Sequence, residues 1–203
     1  MVKKLLVVLF LGLITVMNAQ EESIRFGAKA GLNLANITGD GTENLDMRTS
    51  FHIGALVEIP LSDKFALQPE LMYSAQGAKF EFSDFGLTDE STIKLDYLNI
   101  PVMAKFYVVE GLSIQAGPQL GILLSAKEEG EDSIDGEYEE DIKDFVSSID
   151  LGLNFGLGYQ LEAGIFFEGR YNLGLTNIND DDEAVDDSSV RNSVIQFSVG
   201  YKF

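Results

Sequence analysis

The single histidine, His52, is the residue best suited to acid and base chemistry near neutral pH. Asp150 is expected at a similar height in the fold, and both side chains are expected to face inward. A carboxylate that orients an imidazole supports a general base, so the two residues form a candidate catalytic pair. No serine in a recognisable nucleophile motif accompanies them. We therefore predict that the protein is not an enzyme, with a membrane-barrel enzyme that uses His52 as an alternative.

A second candidate site consists of charged residues on the polar faces of the predicted strands. Three cations oppose three carboxylates: Lys29, Lys105 and Arg170 against Glu58, Glu70 and Glu168. Buried charges persist only when they are paired. The strand pattern described below predicts an eight-stranded barrel, and the lumen of such a barrel has room only for side chains. We therefore predict a structural ion-pair network that fills the barrel lumen. A narrow ion path is the alternative, and no cofactor is expected.

Two acidic segments are candidate sites for Ca²⁺ or Mg²⁺, which prefer oxygen ligands. The spacing of their carboxylates does not fit an EF-hand loop. We expect solvated acidic loops, because like charges repel one another. Divalent cations or envelope proteins at these loops are an open alternative, including cations that bridge to lipopolysaccharide phosphates. The residues are Glu128, Glu129, Glu131, Asp132, Asp135, Glu137, Glu139, Glu140, Asp141 and Asp144, then Asp180, Asp181, Asp182, Glu183, Asp186 and Asp187.

The elements that must position these residues are strands. Apolar and polar residues alternate with a period of two, which excludes a helix; Ile195, Phe197, Val199, Tyr201 and Phe203 share one face of the last segment. Three connections are tight turns and four are long, and they alternate. This is the plan of an all-β, eight-stranded antiparallel up-and-down transmembrane barrel with short periplasmic turns and long acidic extracellular loops. The predicted strands are 26–36, 51–61, 65–82, 93–108, 112–126, 149–160, 164–177 and 192–203.

Alternation alone does not tell which face points outward. A soluble periplasmic lipocalin-like barrel that binds an apolar ligand shows the same period with its apolar face inside. The polar face is rich in Gly, Ser, Asn and Gln, which suits a crowded lumen better than a solvated surface. Aromatic residues near the strand ends suggest membrane girdles: Phe26, Phe51, Phe65, Phe106, Tyr159, Tyr201 and Phe203. We therefore expect the apolar face to contact lipid.

The prolines do not fit a regular barrel, because a proline cannot donate to the strand ladder and a closed barrel has no free edge. All of them fall within predicted strands, and we expect bulges or strand ends there. They are Pro60, Pro69, Pro101 and Pro118.

The N-terminus predicts secretion. Lys3 and Lys4 precede an apolar run that is too short to span a bilayer, so residues 1–19 are expected to be a signal peptide cleaved after Ala19. Residues 20–203 then form the barrel domain. Without the two lysines the net charge falls from −19 to −21, which argues against nucleic-acid binding. The chain has no cysteine, so neither a disulfide nor a lipoprotein anchor contributes.

The last strand also predicts a partner in biogenesis. Phe197, Val199, Tyr201 and the terminal Phe203 are expected to form the signal that the outer-membrane barrel-assembly machinery reads. The simpler interpretation is an ordinary last strand.

Several motifs resemble the PorT-like outer-membrane β-barrel family. They are residues 67–79 (LQPELMYSAQGAK), 97–106 (YLNIPVMAKF), 31–33 (GLN) and 117–121 (GPQLG). The resemblance implies the barrel fold and carries no catalytic motif. The founding member of that family is linked to protein secretion across the outer membrane. We therefore predict an integral protein of the outer membrane of a Gram-negative-type bacterium, in contact with its lipid. Its expected role is structural, surface-interacting or secretion-associated.

Overall fold

The computed structural model describes residues 24–84, 87–132, 136–180 and 189–203. The predicted signal peptide and its cleavage site lie outside the described residues. Within these ranges the chain forms nine antiparallel strands and a short 3-10 helix, Lys143–Phe145. No helix in the described ranges is long and apolar enough to cross a membrane. The strands are β1 (Arg25–Gly39), β2 (Leu45–Ser62), β3 (Phe65–Asp84), β4 (Leu87–Val109), β5 (Leu112–Asp132), β6 (Gly136–Asp141), β7 (Ile149–Gln160), β8 (Ile165–Gly174) and β9 (Val190–Lys202).

Eight of the nine strands close into a ring. Each ring strand pairs with the next ring strand in sequence; β5 pairs with β4 and β7, because β6 lies outside the ring and pairs with β5 alone among the described strands. The ring is closed by β1 and β9, from Gly27 opposite Lys202 to Gly39 opposite Val190. The predicted eight-stranded antiparallel barrel is therefore confirmed, with its short turns at residues 63–64, 110–111 and 161–164 at one end.

The two faces of the ring separate apolar from charged side chains. Leu32, Ile53, Leu71 and Leu157 are each more than half exposed on the outside. The buried inward positions include charged and amide side chains such as Lys29, Glu70 and Asn154. The alternative of a soluble barrel with an apolar interior is therefore wrong, because the apolar surface faces outward, where a bilayer covers it.

The ninth strand corrects the predicted third loop. Residues 127–148 were expected to be a solvated acidic loop, yet β5 continues to Asp132 and then pairs with β6. The outer parts of β2, β3 and β4 also extend past the predicted strand ends. We call the resulting projection the extracellular sheet: residues 45–47, 78–84, 87–94 and 127–132 of the ring strands together with β6. It lies at the long-loop end, which is extracellular in this class of barrel.

The prolines follow the expectation only in part. Pro60 lies at a register shift near the end of β2, as predicted. Pro69, Pro101 and Pro118 lie well inside strands whose register is the same on both sides of each proline. Bulges are therefore wrong for these three. A strand in a ring loses a single donor at a proline while the surrounding ladder holds the register, so no extra residue is needed.

Candidate functional site: the charged lumen

The periplasmic half of the lumen holds a chain of ion pairs centred on Glu58. Lys202 Nζ lies 2.5 Å and Lys105 Nζ 3.1 Å from Glu58 Oε2. The hydroxyl of Tyr107 donates a hydrogen bond of 2.8 Å to the same oxygen, and the half-exposed Arg25 lies 3.8 Å from Oε1. Except for Lys105, these residues line a cavity of about 740 Å³ at the short-turn end.

A second group lies deeper and is almost fully buried. Arg170 donates two hydrogen bonds to Glu70, of 3.0 and 2.8 Å, and a third of 3.2 Å to Glu168. Lys29 Nζ lies 2.9 Å from Glu70 and 2.8 Å from Glu168. Lys105 connects the two groups, since its Nζ also lies 3.9 Å from Glu168.

The structure thus brings together all six charged residues that the sequence singled out. It adds Lys202, which the sequence reasoning placed on the polar face of the last strand without including it in the network. Gln68 donates to Glu70 at 2.7 Å and accepts from Lys105 at 3.1 Å. Desolvating charges costs several kcal/mol per ion, so these additional hydrogen bonds are needed to make the burial tolerable.

His52 and Asp150 do not form the predicted pair. His52 Nδ1 lies 2.8 Å from Asn33 Oδ1, and its Nε2 lies 2.7 Å from Ser198 Oγ. Asp150 instead accepts a hydrogen bond of 2.9 Å from Asn192. Sequence reasoning missed both partners: Asn33 lies on the neighbouring strand β1, two residues from Gly31 opposite His52, and Ser198 of β9 reaches His52 only when the ring closes. All three side chains are buried.

An apolar cluster closes the extracellular end of the lumen, and sequence reasoning did not find it. Its buried members come from the outer ends of the ring strands and from the connection after β8. Ile142 and Val146 from the connection after β6 pack against it. The described parts of these two connections are therefore tied to the barrel by apolar burial. The buried members are Ile37, Ala78, Leu95, Tyr97, Leu123, Ala126 and Ile178; we call them the apolar cap.

The extracellular sheet carries most of the described acidic residues. Glu128 lies opposite Glu140 and Glu129 opposite Glu139, and such like-charge pairs are unfavourable. Lys127 Nζ lies 2.6 Å from Glu139. Lys94 pairs with Glu129.

Lysine contacts change the ionisation of this sheet, which projects beyond the apolar belt. A hydrogen bond from Lys94 lowers the pKa of Glu129 below its ordinary value. A hydrogen bond to Glu139 raises the pKa of Lys127. In the described part of the chain, no three histidine or acidic side chains converge as a metal site. Asp135, Asp181, Asp182, Glu183, Asp186 and Asp187 lie outside the described residues, and no side chain is described for Glu131 or Asp132.

The C-terminal residues of the predicted assembly signal lie on the outer face. Phe197, Val199 and Tyr201 are about half exposed, and Phe203 is 74% exposed. The rings of Tyr201 and Phe203 stack with centroids 6.3 Å apart. The backbone N–H of Phe203 donates to Phe26 O at 2.9 Å, so the terminus is held beside the start of β1.

A closed eight-stranded ring with an apolar outer belt and buried charges inside defines an outer-membrane β-barrel protein. The family model for the outer membrane protein beta-barrel domain matches residues 18–180, and the chain belongs to this family. Its location is therefore the Gram-negative outer membrane, in contact with the lipid bilayer. No curated protein sequence matches the chain.

Two solved structures support the fold. Ail, the attachment invasion locus protein of Yersinia pestis, is similar with a TM-score of 0.55 and 13% identity over 90% of this chain and 100% of Ail. Ail in complex with the heparin analogue sucrose octasulfate gives 0.51 at 14% identity, again over 90% and 100%. Neisserial surface protein A gives 0.48 at 16% identity, over 89% of this chain and 97% of that one. At these identities the likeness concerns the fold alone.

Proposed function

We propose that the protein is a non-enzymatic outer-membrane barrel with a filled lumen that presents an acidic interaction surface outside the cell. The observation that carries this proposal is the buried chain of ion pairs from Lys202 to Arg170, which crosses the lumen below the apolar cap. A barrel filled in this way conducts no solutes. Proteoliposome swelling tests this point: wild-type protein should leave sugar entry at the level of empty vesicles, whereas a general porin control should raise it. Swelling above empty vesicles contradicts a filled lumen.

The extracellular sheet is the proposed interaction surface. Its last strand, β6, pairs only with β5 among the described residues, so one backbone edge is free to pair with an extended segment. Glu137, Glu139 and Glu140 make this edge acidic. The complementary partner is an extended segment rich in Lys and Arg, unlike the polyanionic heparin analogue bound to Ail. Divalent cations are a second candidate ligand for the same carboxylates.

Peptide binding tests this surface. A lysine-rich extended peptide should bind the detergent-solubilised barrel more tightly than a glutamate-rich peptide of equal length, and salt should weaken it. The Glu137→Gln, Glu139→Gln double variant should lose this preference. The matched control replaces Glu110 and Glu162, which lie at the opposite end of the barrel, with Gln. Equal loss in both variants contradicts the assignment of the site, and addition of EDTA shows whether a divalent cation bridges the contact.

We also propose that the protein is related to the PorT-like barrels within this family. From that relationship we infer a role in protein secretion. The supporting observation is the set of family-like motifs around Pro69 and Pro101. A deletion strain should then lose secreted proteins from the medium. Complementation with a chain that lacks the β5–β6 hairpin should fail, whereas complementation with a lumen variant that still folds should succeed. Unchanged secretion in the deletion strain contradicts this role.

A barrel enzyme is a second candidate, favoured by the Ser198, His52 and Asn33 contacts. These three side chains have the order of nucleophile, base and orienting group. Their burial argues against substrate access, so we propose a structural role for them. A fluorophosphonate probe should leave Ser198 unlabelled. Labelling that is lost in both Ser198→Ala and His52→Ala, with the folded barrel still present on a detergent gel, contradicts the non-enzymatic proposal.

The mature chain is proposed to begin at Gln20, after removal of the signal peptide. The support is the basic start, the short apolar run and the small residue at Ala19. Mass spectrometry of the protein from outer membranes tests this cleavage, and an N-terminal peptide that begins at Met1 contradicts it.

A further inference from the structure

Asp150 differs from the other buried carboxylates of the barrel. Glu58, Glu70 and Glu168 each contact at least two Lys or Arg side chains. Asp150 is only 5% exposed and, among the described residues, no Lys or Arg pairs with it. One of its oxygens accepts from Asn192, and the other, Oδ1, has no hydrogen-bond partner in the described structure. A buried charge in this state requires a compensating positive group.

The atoms without partners have opposite character in the two halves of the lumen. Near the ion pairs, the unpartnered buried atoms of the described residues are the donors Gln115 Nε2 and Arg170 Nε. Towards the extracellular end they are all acceptors: Gln76 Oε1, Asn99 Oδ1, Asp150 Oδ1, Asn172 Oδ1 and Asn192 Oδ1. Each of these five residues is at most 5% exposed. Buried oxygens normally have a partner, so a concentration of free acceptors indicates a missing positive or donor group.

The chemistry of Asn192 fixes which way its amide points. Its Nδ2 donates to Asp150 Oδ2 at 2.9 Å and to the hydroxyl oxygen of Tyr97 at 3.2 Å. A flipped amide would place its oxygen against the carboxylate, which is unfavourable. The free atom of Asn192 is therefore the oxygen, on the side chain that already contacts Asp150.

Gly121 leaves space between the oxygen-bearing side chains. It lies opposite Asp150 in one strand pair and opposite Asn99 in the other, so these residues form a row across β7, β5 and β4 on the inward face. A Cβ at Gly121 would lie 2.9 Å from Asn99 Oδ1 and 3.3 Å from the carbonyl oxygen of Asp150. A side chain at this position would crowd Asn99 Oδ1, so the glycine leaves room beside that oxygen.

We propose that Asp150, Asn99 and Asn192 bind a single monovalent metal cation, Na⁺ or K⁺, in the extracellular half of the lumen. Carboxylate and amide oxygens are ligands for hard cations. The group carries one negative charge, which a monovalent ion neutralises and a divalent ion overcompensates in a site shielded from solvent. Asn172, whose amide lies against the position of Gly152 two residues from Asp150, supplies a further oxygen at the edge of the site. This inference does not depend on the proposed interaction surface or on the absence of enzymatic activity.

The unfolding equilibrium of the full barrel in urea and detergent micelles tests the site. Na⁺ or K⁺ replaces N-methylglucamine at constant ionic strength, with chloride as the common anion. The unfolding constant should fall saturably, by about tenfold when the cation is present at ten times its dissociation constant. An equal response to all three cations would overturn the proposal. So would saturation by Ca²⁺ at lower concentration than by Na⁺ or K⁺.

Three variants locate the effect and separate it from general salt stabilisation. Asp150→Asn should abolish the difference between the metal cations and N-methylglucamine, while Asp144→Asn, on the exposed 3-10 helix, should retain it. Asn99→Ala should move the half-saturation to higher concentration, and Gly121→Ala should do the same by filling the space. If Asp150→Asn does not fold, these last two variants decide the outcome. A wild-type response in both of them, or in Asp150→Asn, means that Asp150 is protonated or hydrated by water and overturns the site.

Discussion

At the scale of single residues, the stability of the ion-pair network in the lumen depends on charged side chains that each contact more than one partner. Glu70 accepts from Arg170 and from Lys29, so its loss leaves two buried cations that share Glu168. Glu70→Gln should therefore lower the free energy of unfolding by about 3–5 kcal/mol. Urea unfolding of the refolded barrel in detergent micelles measures this change.

Arg25→Gln is the matched control for Glu70→Gln. Its guanidinium is 44% exposed and lies 3.8 Å from Glu58, at the mouth of the same network. Because exposed ion pairs contribute little, this variant should cost about 1 kcal/mol or less. Equal effects of the two substitutions would mean that burial does not determine the strength of the network.

The identity of the lumen charges could be read from the sequence because side-chain direction in a strand follows position parity. Their partners could not, since they depend on the stagger between strands far apart in the chain. Lys29 and Glu168, for example, are 139 residues apart. The same limit explains the wrong pairing of His52 with Asp150. Both side chains face inward as expected. The strands of a closed barrel are staggered, however, so similar positions along two strands do not place two residues at the same height in the lumen.

At the scale of elements, the β5–β6 hairpin could not be predicted from the amino-acid composition of its segment. Glu and Asp are depleted in strands, so the acidic run after Ala126 was expected to be a loop. The structure pairs it on both sides, with β4 and with β6, and the lysines at positions 94 and 127 offset part of the repulsion. The period of two remains a sound guide to the ring strands, because their alternation is enforced by two different environments.

The pairing of Lys94 with Glu129 predicts the acid response of this hairpin. A carboxylate whose pKa is lowered by folding contributes stability above its unfolded pKa, and this contribution is lost as pH falls through the lowered value. In Lys94→Gln the pKa of Glu129 should rise towards the ordinary glutamate value, because the lysine that lowers it is gone. Carbon-13 NMR titration of the Glu129 carboxyl group in micelles measures both values. Lys79→Gln is the control, and an unchanged pKa in Lys94→Gln contradicts the assignment of its cause.

At the scale of the whole molecule, the barrel is closed differently at its two ends. The short-turn end opens into a cavity above Glu58 and Lys202, whereas the apolar cap covers the other end. Beside the cap, the connections after β6 and after β8 contact each other: the backbone N–H of Ser147 donates to Ile178 O at 2.9 Å, and Val146 bridges to Asn179. The described parts of these connections are therefore held against each other and against the cap.

Removing one cap residue should release the connections without unfolding the ring. Ile178 is 3% exposed, so Ile178→Ala creates a buried cavity. The substitution should lower the free energy of unfolding by about 2–5 kcal/mol if the neighbouring side chains do not move to fill that cavity. We expect faster proteolysis near Lys143 and an unchanged heat-dependent shift on a detergent gel. Leu175→Ala, at a lipid-facing position that is 48% exposed, is the control. Loss of the gel shift in Ile178→Ala would mean that the cap is needed for the ring itself.

Loss of the terminal aromatic residue, Phe203, should affect assembly of the barrel in the membrane much more than the stability of the folded barrel. Phe203 is mostly exposed, stacks only on Tyr201 among the described aromatic pairs, and forms one backbone hydrogen bond. Deletion of Phe203 should therefore change the unfolding free energy of refolded protein by about 1 kcal/mol or less. If the barrel-assembly machinery reads this residue, the amount of folded protein in cell outer membranes should fall sharply. Phe65→Ala, at another exposed aromatic of the same rim, should leave that amount near the wild-type level because it lies outside the last strand. Equal membrane levels for wild type and the Phe203 deletion would instead assign the residue to an ordinary last strand.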